Sequence, residues 1–216
     1  MSEETRSELL RGRRGLYAIV DSDPEGAGAI SLGRALLDGG ARILQLRMKG
    51  AEASTMLAIA RELAPLCRAQ GTLFIVNDRL DVALAAGADG AHLGQDDLPI
   101  EDARFLAPAN FLLGVSTHNE DQAEAAARAG ADYIGFGPVF PTSTKQNPDP
   151  VVGLERLSVV CSRVSIPVVA IGGISLSHAG SVARAGARFA AIISAVNRAN
   201  DVVTAARTVE RAFAID

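Results

Sequence analysis

The sequence lacks several features that would place a protein in a class directly. Its 216 residues include no tryptophan, and aromatic residues make up only 4% of the chain, which argues against an aromatic sandwich core. It has no apolar run of about 18 residues, the length that a helix needs to cross a membrane, so no membrane partner is predicted. The opening MSEETRSELLRGRRG is charged and contains no apolar stretch, so it does not resemble a secretory signal.

The cysteines and the basic residues argue against further classes of protein. The chain has two cysteines, Cys67 and Cys161, which lie far apart and outside any Cys-x-x-Cys or Cys/His pattern. This usage predicts small core residues in a reducing compartment, the cytoplasm. The formal net charge is −4, and basic residues are not bunched beyond the start of the chain, so a nucleic-acid partner is not supported.

Short apolar runs alternate with Ala-rich helical segments along the whole chain. The runs begin at Leu16, Arg42, Leu73, Gly90, Phe111, Asp132, Pro167 and Arg188. Several are apolar nearly throughout, as expected for parallel strands that are covered on both sides. The alternation predicts a (β/α)₈ barrel formed by residues 1–216 as one domain, with residues 1–14 as a tail or a short leading helix. A doubly wound open sheet is the alternative, but no G-x-G-x-x-G follows the first strand.

A short repeat supports this alternation of helices and strands. The segments DGGARILQL, AAGADGAHL, RAGADYIGF and RAGARFAAI share one pattern. In each of them a helix ends at glycine and a strand follows within a few residues. Glycine is the usual residue in the left-handed conformation that ends many helices. The repeat therefore predicts four such helix ends, each followed directly by a strand.

Two acidic residues follow neighbouring strands of the predicted barrel. Asp78 ends the third apolar run, and Asp97 follows the fourth. The carboxyl ends of the strands carry the active site in such barrels, and adjacent strands lie about 5 Å apart. Two carboxylates placed so closely need a cation, and hard oxygen ligands suit Mg²⁺. The alternative is that both are solvated turn residues.

The second strand, ILQLRMK, presents polar residues on one face. With a period of two, Gln45, Arg47 and Lys49 share that face, while the intervening apolar residues, including Met48, share the other. The apolar face must meet the helices, so the polar face is predicted to point into the barrel near its top. Lone charges there are costly, which favours a functional role. The alternative is an internal salt bridge to Asp78 or Asp97.

The remaining strand ends carry groups that suit phosphate. Ser116 ends strand five, where its hydroxyl could meet an oxyanion or simply be a solvated turn serine. The loop after strand six, with Thr142, Thr144 and Lys145, is long, and loops of this length are usually binding loops. After strand seven, Gly173 would let the backbone approach a ligand, because glycine has no side chain. Phosphate sites of these barrels are usually formed by the loops after strands seven and eight.

Two histidines are predicted at helix starts and one in a strand. Ser175 is a plausible N-cap for the helix that begins at SLSHAG, and His118 and His178 are expected near helix starts. His92 lies inside strand four and is expected to be a hydrogen-bonded core histidine.

The charges at the predicted top of the barrel exceed what one phosphate requires. Arg47, Lys49 and Lys145 provide three cations beside the predicted metal site, while the glycine-containing loops form a separate phosphate pocket. This combination suits a diphosphate in one pocket and a monophosphorylated molecule in the other. A diphosphate held by Mg²⁺ and cations is a good leaving group. The residues therefore predict transfer of an organic group from a diphosphate to a phosphate-bearing acceptor.

The motifs QLRMK, VNDRLDVAL, GAHLGQDDLP, GVSTH, FGPVFPTSTK, GLE and AIGGI occur in this order. Together they make the chain resemble the thiamine phosphate synthase family from Leu16 to Ala212, nearly its whole length. The resemblance implies a (β/α)₈ barrel. It also implies a reaction that joins 4-amino-2-methyl-5-hydroxymethylpyrimidine diphosphate to thiazole phosphate, giving thiamine phosphate and diphosphate.

The resemblance also implies a role for each matched residue. Asp78 and Asp97 match the family's Mg²⁺ ligands. Positions that bind the pyrimidine diphosphate are matched by Gln45, Arg47, Lys49, Asn77, Ser116 and Lys145. Positions around the thiazole phosphate are matched by Thr142, Ser143, Thr144, Gly173, Ile193 and Ser194. The expected catalytic residues are the three cations, which stabilise the leaving group.

By resemblance the reaction is a dissociative substitution. The diphosphate leaves first, and the pyrimidine-methyl cation that remains is stabilised by the amino group of the ring before the thiazole nitrogen attacks. No protein nucleophile is required, which agrees with the absence of a Ser/His or Cys/His constellation in the sequence. One position departs from the family, because Met48 stands where Glu is usual. Since Met48 is predicted to face the helices, little loss of function is expected.

Two other functions are alternatives on the sequence alone. A thiazole tautomerase shares the barrel and the thiazole phosphate pocket, but it generally lacks the paired acidic ligands and the PTxTK loop, both present here. A non-catalytic phosphate-binding barrel has no reason to retain two metal-type carboxylates and three cations. Sugar-phosphate epimerases are analogous in fold alone. A homo-oligomer is compatible with the sequence.

Overall fold

The computed structural model describes residues 6–142 and 149–214. Eight parallel strands close into a barrel in chain order, and the first strand pairs with the eighth. Parallel neighbours need long crossover connections, which the helices between the strands supply. The predicted (β/α)₈ barrel is confirmed, and the open-sheet alternative is wrong.

The described elements follow the predicted alternation. The strands are β1 Gly15–Asp21, β2 Ile43–Arg47, β3 Leu73–Asn77, β4 Gly90–Leu93, β5 Leu112–Thr117, β6 Tyr133–Phe136, β7 Val168–Ala170 and β8 Phe189–Ile192. The helices are α1 Arg6–Leu10, α2 Ala29–Asp38, α3 Ala53–Ala69, α4 Leu80–Ala86, α5 Ile100–Leu106, α6 Glu120–Arg128, α7 Gly153–Arg163, α8 Ala179–Arg184, α9 Ser194–Asn197 and α10 Val202–Phe213. A 3₁₀ turn, Leu176–His178, precedes α8.

The core has two layers, separated by the barrel wall. The outer layer lies between strands and helices and includes Met48, packed with apolar residues of β2 and α3. This confirms that Met48 faces the helices. The inner layer fills the barrel with residues such as Ile43, Ile75 and Phe189. Leu10 of α1 belongs to the inner layer, so this short leading helix covers the amino-terminal end of the barrel.

Glycines turn the chain from helix to strand at the four repeated segments. Gly40, Gly87, Gly130 and Gly186 have φ values of 91°, 67°, 97° and 99°. This left-handed region is open to glycine and strained for most other residues. The prediction of left-handed helix ends is therefore confirmed at all four positions.

The cysteines and the helices agree with the composition. Both cysteines are free thiols; Cys67 is buried and Cys161 is half-buried. Burial raises the pKa of Cys67 to about 12 and that of Cys161 to about 11, so neither forms a thiolate readily near neutral pH. Among the described residues, no helix is both long enough and apolar enough to span a membrane.

Candidate active site

Two cavities adjoin at the carboxyl ends of the strands. The first, which we call the charged cavity, has a volume of about 520 Å³ and is lined mainly by the ends of β2 to β5. The second, which we call the glycine-lined cavity, has a volume of about 240 Å³ and lies at the ends of β6 to β8. They meet after β7, where Ile171 lines the first and Gly172 lines the second. This arrangement places two different binding environments side by side.

The charged cavity brings together most of the residues that the resemblance assigns to the pyrimidine diphosphate and Mg²⁺. Among its lining residues are Arg47, Lys49, Asn77, Asp78, Asp97 and Ser116. They come from four strands, and they converge because parallel strands of a barrel all end at the same rim. Gln45 points into the barrel as predicted, but it is buried beneath the cavity.

Asp78 and Asp97 lie against each other in the charged cavity. Burial raises the pKa of Asp97, and the charge of Asp78 and a hydrogen bond between the two side chains raise this pKa further. The backbone N–H of Gly94 donates to Asp97 Oδ2 at 2.6 Å and lowers the pKa. Neither aspartate is a freely solvated turn residue. Two carboxylates in contact favour a cation between them, because its positive charge offsets their mutual repulsion.

The backbone at Asp78 is held in an unusual conformation. Its φ is 62°, the one left-handed value among the described non-glycine residues. Aspartate tolerates this region better than most residues, but at some cost in energy. The Asp78 N–H donates to the carbonyl of His92 at 2.8 Å, which ties the end of β3 to β4. This hydrogen bond holds the Asp78 side chain beside the loop that carries Asp97.

Both cations of β2 form ion pairs at the rim. Arg47 pairs with Asp21 and Lys49 pairs with Asp78. The internal salt bridge considered as an alternative is therefore present at Lys49, although its side chain is 60% exposed and such a pair contributes little stability. Asp21 was missed by the sequence analysis. It ends β1 just as Asp78 follows β3, so the same pattern would have identified it.

His92 and Ser116 form a hydrogen-bonded pair that the sequence analysis did not predict. His92 Nε2 lies 2.9 Å from Ser116 Oγ, and Ser116 is half-buried rather than a solvated turn serine. The expectation that His92 is a hydrogen-bonded core histidine is confirmed. Burial lowers the pKa of His92 to about 4, so it is a weak base, and its other nitrogen contacts a tyrosine instead of a carboxylate. The pair therefore does not form an activated nucleophile.

The other two histidines lie near helix starts, as predicted. His118 Nδ1 donates to the Gly137 carbonyl at 2.6 Å, and its Nε2 lies 3.4 Å from Asp149. His178 stacks on the ring of Phe140, and its Nδ1 accepts from the N–H of Ser175 at 3.3 Å. Each of these histidines fixes a segment at the rim of the barrel.

The glycine-lined cavity has no charged side chain among the described residues that line it. Those residues are Pro141, Thr142, Gly172, Gly173, Ile174, Ser175, Ala191, Ile193, Ser194 and Ala195. Hydroxyls and backbone N–H groups are its available donors, which can hold a phosphate without a cation. Ser143, Thr144 and Lys145 lie outside the described residues.

The structure adds a second reason for glycine at position 173. Close approach of a ligand stays a prediction, and Gly173 does line the glycine-lined cavity. A Cβ at Gly173 would also lie 2.3 Å from the carbonyl oxygen of Pro141 and 2.5 Å from that of Phe140. Its φ of 66° also disfavours a side chain. Glycine is required here because the segment after β6 crosses over the loop after β7.

Comparisons with known proteins agree on one family. The sequence model described as thiamine monophosphate synthase matches residues 16–196. A thiamine-phosphate synthase from Methanospirillum hungatei is 49% identical over 194 residues, covering 89% of this chain and 94% of that protein. The solved thiamine phosphate pyrophosphorylase from Pyrococcus furiosus is 41% identical with a TM-score of 0.83, covering 92% of this chain and 95% of that one. A solved 3-hexulose-6-phosphate synthase, 18% identical with a TM-score of 0.67 over 93% of this chain and all of that one, shares the fold alone.

Proposed function

The chain belongs to the thiamine monophosphate synthase family, and from that premise we propose that each of its two cavities binds one of the two substrates. The enzyme is a transferase that joins the pyrimidine diphosphate to thiazole phosphate, releasing diphosphate and forming thiamine phosphate. The observation that carries the division is the pair of adjoining cavities. One is rich in charged side chains, and the other has none among the described residues that line it. The relatives named as synthases favour this activity over the tautomerase and over a binding protein without activity.

The charged cavity is the site of the pyrimidine diphosphate. Arg47 and Lys49 supply positive charge, and Asn77 and Ser116 supply uncharged polar groups at the same rim. A diphosphate carries several negative charges, and more charge collects on its leaving oxygen as the C–O bond breaks. Fixed cations stabilise that state more than the bound substrate, so they accelerate bond breaking.

Asp78 and Asp97 would hold Mg²⁺ in this cavity. The protein would supply these two ligands alone, because among the described residues no group of three or more acidic, histidine or cysteine side chains could hold a metal ion. The pair fits Mg²⁺, which is usually bound by one or two carboxylates together with water and substrate phosphate oxygens. When bound, the ion would neutralise charge on the diphosphate and offset the repulsion between the two carboxylates.

The glycine-lined cavity is the site of the thiazole phosphate. A single phosphate needs fewer charges than a diphosphate, and hydroxyls at Thr142 and Ser194 with nearby backbone N–H groups are sufficient to bind it. Because the two cavities meet after β7, the thiazole nitrogen can face the carbon from which the diphosphate departs. The enzyme then accelerates the reaction by holding the two reactants close together in the right orientation, and no protein nucleophile is needed.

An assay with both substrates tests this function. The purified protein is incubated with the pyrimidine diphosphate, thiazole phosphate and Mg²⁺, and thiamine phosphate is measured by its fluorescence after oxidation. We expect product only when all components are present, with one diphosphate released for each thiamine phosphate. Conversion of the thiazole substrate to an isomer without condensation would instead establish the tautomerase alternative.

Replacing Gly173 with alanine should impair the thiazole phosphate site selectively. The new Cβ must displace the carbonyls of Phe140 and Pro141, and Pro141 lines the glycine-lined cavity. We expect the KM for thiazole phosphate to rise roughly tenfold or more, since misplacing a binding group by about 1 Å can cost ~10²-fold. The KM for the pyrimidine diphosphate should change much less, and steady-state kinetics with each substrate varied in turn measure both values.

Gly87→Ala is the matched control for this variant. Gly87 has a φ of 67°, but a Cβ there would meet no atom within 4 Å, and it lies at the end of α4 away from both cavities. Both variants therefore carry backbone strain of about 1–2 kcal/mol, and only Gly173→Ala adds the clash. Equal effects of the two variants on the thiazole phosphate KM would show that strain alone is responsible.

A further inference from the structure

A continuous path of buried hydrogen bonds crosses the inside of the barrel beneath the charged cavity. Gln45 Nε2 lies 2.8 Å from the hydroxyl of Tyr17, which lies 2.8 Å from the hydroxyl of Tyr133. The Tyr133 hydroxyl lies 3.3 Å from His92 Nδ1, and His92 Nε2 lies 2.9 Å from Ser116 Oγ. The first four residues are each at most 8% exposed. Ser116 lies at the open end of the path, where it and His92 line the charged cavity.

The path replaces apolar packing that a barrel interior would normally contain. Inward-facing positions of such barrels are dominated by branched apolar residues, and buried polar groups are costly unless each finds a partner. Tyr17 and Tyr133 are the only two tyrosines in the chain. A Cβ at Gly114 would lie 2.1 Å from the Tyr133 ring, so glycine at that position leaves room for the ring. Such specific accommodation indicates a role beyond filling space.

The order of donors along the path follows from its Gln45 end, because each hydroxyl and ring nitrogen further along can either donate or accept. The Gln45 amide nitrogen only donates, so the Tyr17 oxygen accepts from it and the Tyr17 hydroxyl donates to Tyr133. Tyr133 in turn donates to His92 Nδ1, which leaves the ring hydrogen of neutral His92 on Nε2. His92 Nε2 then donates to the Ser116 oxygen. The Ser116 hydroxyl hydrogen is consequently directed away from His92.

We propose that Tyr17, Tyr133 and His92 are positioning residues that hold the Ser116 hydroxyl as a hydrogen-bond donor toward the diphosphate. The proposal rests on the proposed placement of that substrate in the charged cavity. An anion only accepts hydrogen bonds, so Ser116 is useful to it only when its hydrogen is free. With the opposite order of donors, Ser116 would donate to His92 and present lone pairs to the anion.

The groups on the path agree with this order. His92 Nδ1 faces the Tyr133 hydroxyl and its Nε2 faces the Ser116 hydroxyl, so each ring nitrogen meets a group that can either donate or accept. Burial raises the pKa of both tyrosines, so their hydroxyls keep the hydrogens that the path requires.

A double-mutant cycle between Tyr133 and Ser116 tests the proposal kinetically. Tyr133→Phe keeps the ring and removes only the hydroxyl, so His92 is no longer held with its hydrogen on Nε2. We expect kcat/KM for the pyrimidine diphosphate to fall roughly 3- to 10-fold, the usual range for one neutral hydrogen bond, with the thiazole phosphate KM unchanged. In a Ser116→Ala background the same change should have no further effect. Equal losses in both backgrounds would overturn the proposal.

Thr72→Val is the matched control for the loss of a buried hydroxyl. Thr72 Oγ1 donates to the Ala41 carbonyl at 2.9 Å, just before β3 and therefore at the opposite end of the barrel. This variant should lower the free energy of unfolding, but by less than Tyr133→Phe, because Thr72→Val loses one buried hydrogen bond and Tyr133→Phe loses two. It should leave kcat/KM for the diphosphate substrate at the wild-type value. An equal kinetic loss in Thr72→Val would attribute the Tyr133 effect to stability and overturn the proposal.

The tautomer of His92 can be measured in the unmodified protein. The chain has three histidines, and the ¹⁵N NMR signals of His92 are identified by their loss in His92→Gln. We expect a hydrogen on Nε2 and none on Nδ1. A hydrogen on Nδ1 in an enzyme that still forms thiamine phosphate would overturn this proposal and leave the proposed function standing. Absence of thiamine phosphate formation would instead contradict the function.

Discussion

Replacing Asp97 with asparagine should lower kcat by at least ~10²-fold, because charge stabilisation by a metal ion contributes several kcal/mol to a reaction of this kind. Asparagine keeps the oxygen that accepts from the N–H of Gly94 but removes the charge that would bind Mg²⁺. Asp78→Asn should have a similar effect, since the two side chains lie together in the charged cavity. The losses are measured by steady-state kinetics over a range of Mg²⁺ concentrations.

The folded state should tolerate this change. Asp97 and Asp78 repel each other when both are ionised, so removing one charge should maintain or raise the free energy of unfolding. Asp96→Asn is the neighbouring comparison, because Asp96 is exposed and follows the same strand; its loss of kcat should be much smaller. Full turnover by Asp97→Asn at limiting Mg²⁺ would contradict the assignment of this residue as a ligand.

Replacing Arg47 with alanine should lower kcat/KM for the pyrimidine diphosphate by about 10²-fold, the usual effect of losing one fixed donor to developing negative charge. Arg47 lies at the end of β2, lines the charged cavity and is mostly shielded from solvent, so its charge is not strongly screened. Arg47→Lys should recover only part of the loss, because lysine cannot present two parallel donors to a phosphate. The thiazole phosphate KM should remain near its wild-type value.

The variant Asp21→Asn tests whether Arg47 acts on the diphosphate or serves only as the ion-pair partner of Asp21. It removes the partner of Arg47 while keeping the arginine and its charge in the cavity. If Arg47 serves only to pair with Asp21, both variants should lower stability alike and neither should change the diphosphate kinetics. The proposed role predicts that Arg47→Ala alone causes the large kinetic loss.

The fold was predictable because it depends on local patterns. Apolar runs that alternate with helical segments specify the strands and the helices, and glycines such as Gly87 and Gly130 specify where a helix turns into a strand. Chain connectivity then restricts the arrangement strongly, because parallel strands joined by helices pair with their sequence neighbours. The ends of the strands were less predictable; β7, for example, has only three residues.

Much of the charged cavity was also predictable, for a geometric reason. All strands of a parallel barrel end at one rim, so polar residues at strand ends, such as Asp78, Asp97 and Ser116, meet there regardless of the details of pairing. The period of two was enough to separate Arg47 and Lys49 from Met48. Neither inference required knowledge of contacts across the barrel.

Contacts across the barrel interior were not predictable. Tyr17 and Tyr133 are 116 residues apart, and their meeting depends on the tilt and register of eight strands. The sequence shows that each lies on a strand, but not which side chains share a layer. The crossing of Pro141 over Gly173 is similar, since it depends on the path of a long loop. These are the features from which the role of Tyr133 and the clash at Gly173 were inferred.

A crystal structure with thiamine phosphate, diphosphate and Mn²⁺ in place of Mg²⁺ tests the division into two cavities most directly. We predict an anomalous Mn²⁺ peak between Asp78 and Asp97 with the diphosphate beside it near Arg47 and Lys49. The phosphate of thiamine phosphate should lie in the glycine-lined cavity near Gly173. A Mn²⁺ peak away from both aspartates, or both phosphate groups in one cavity, would contradict the account.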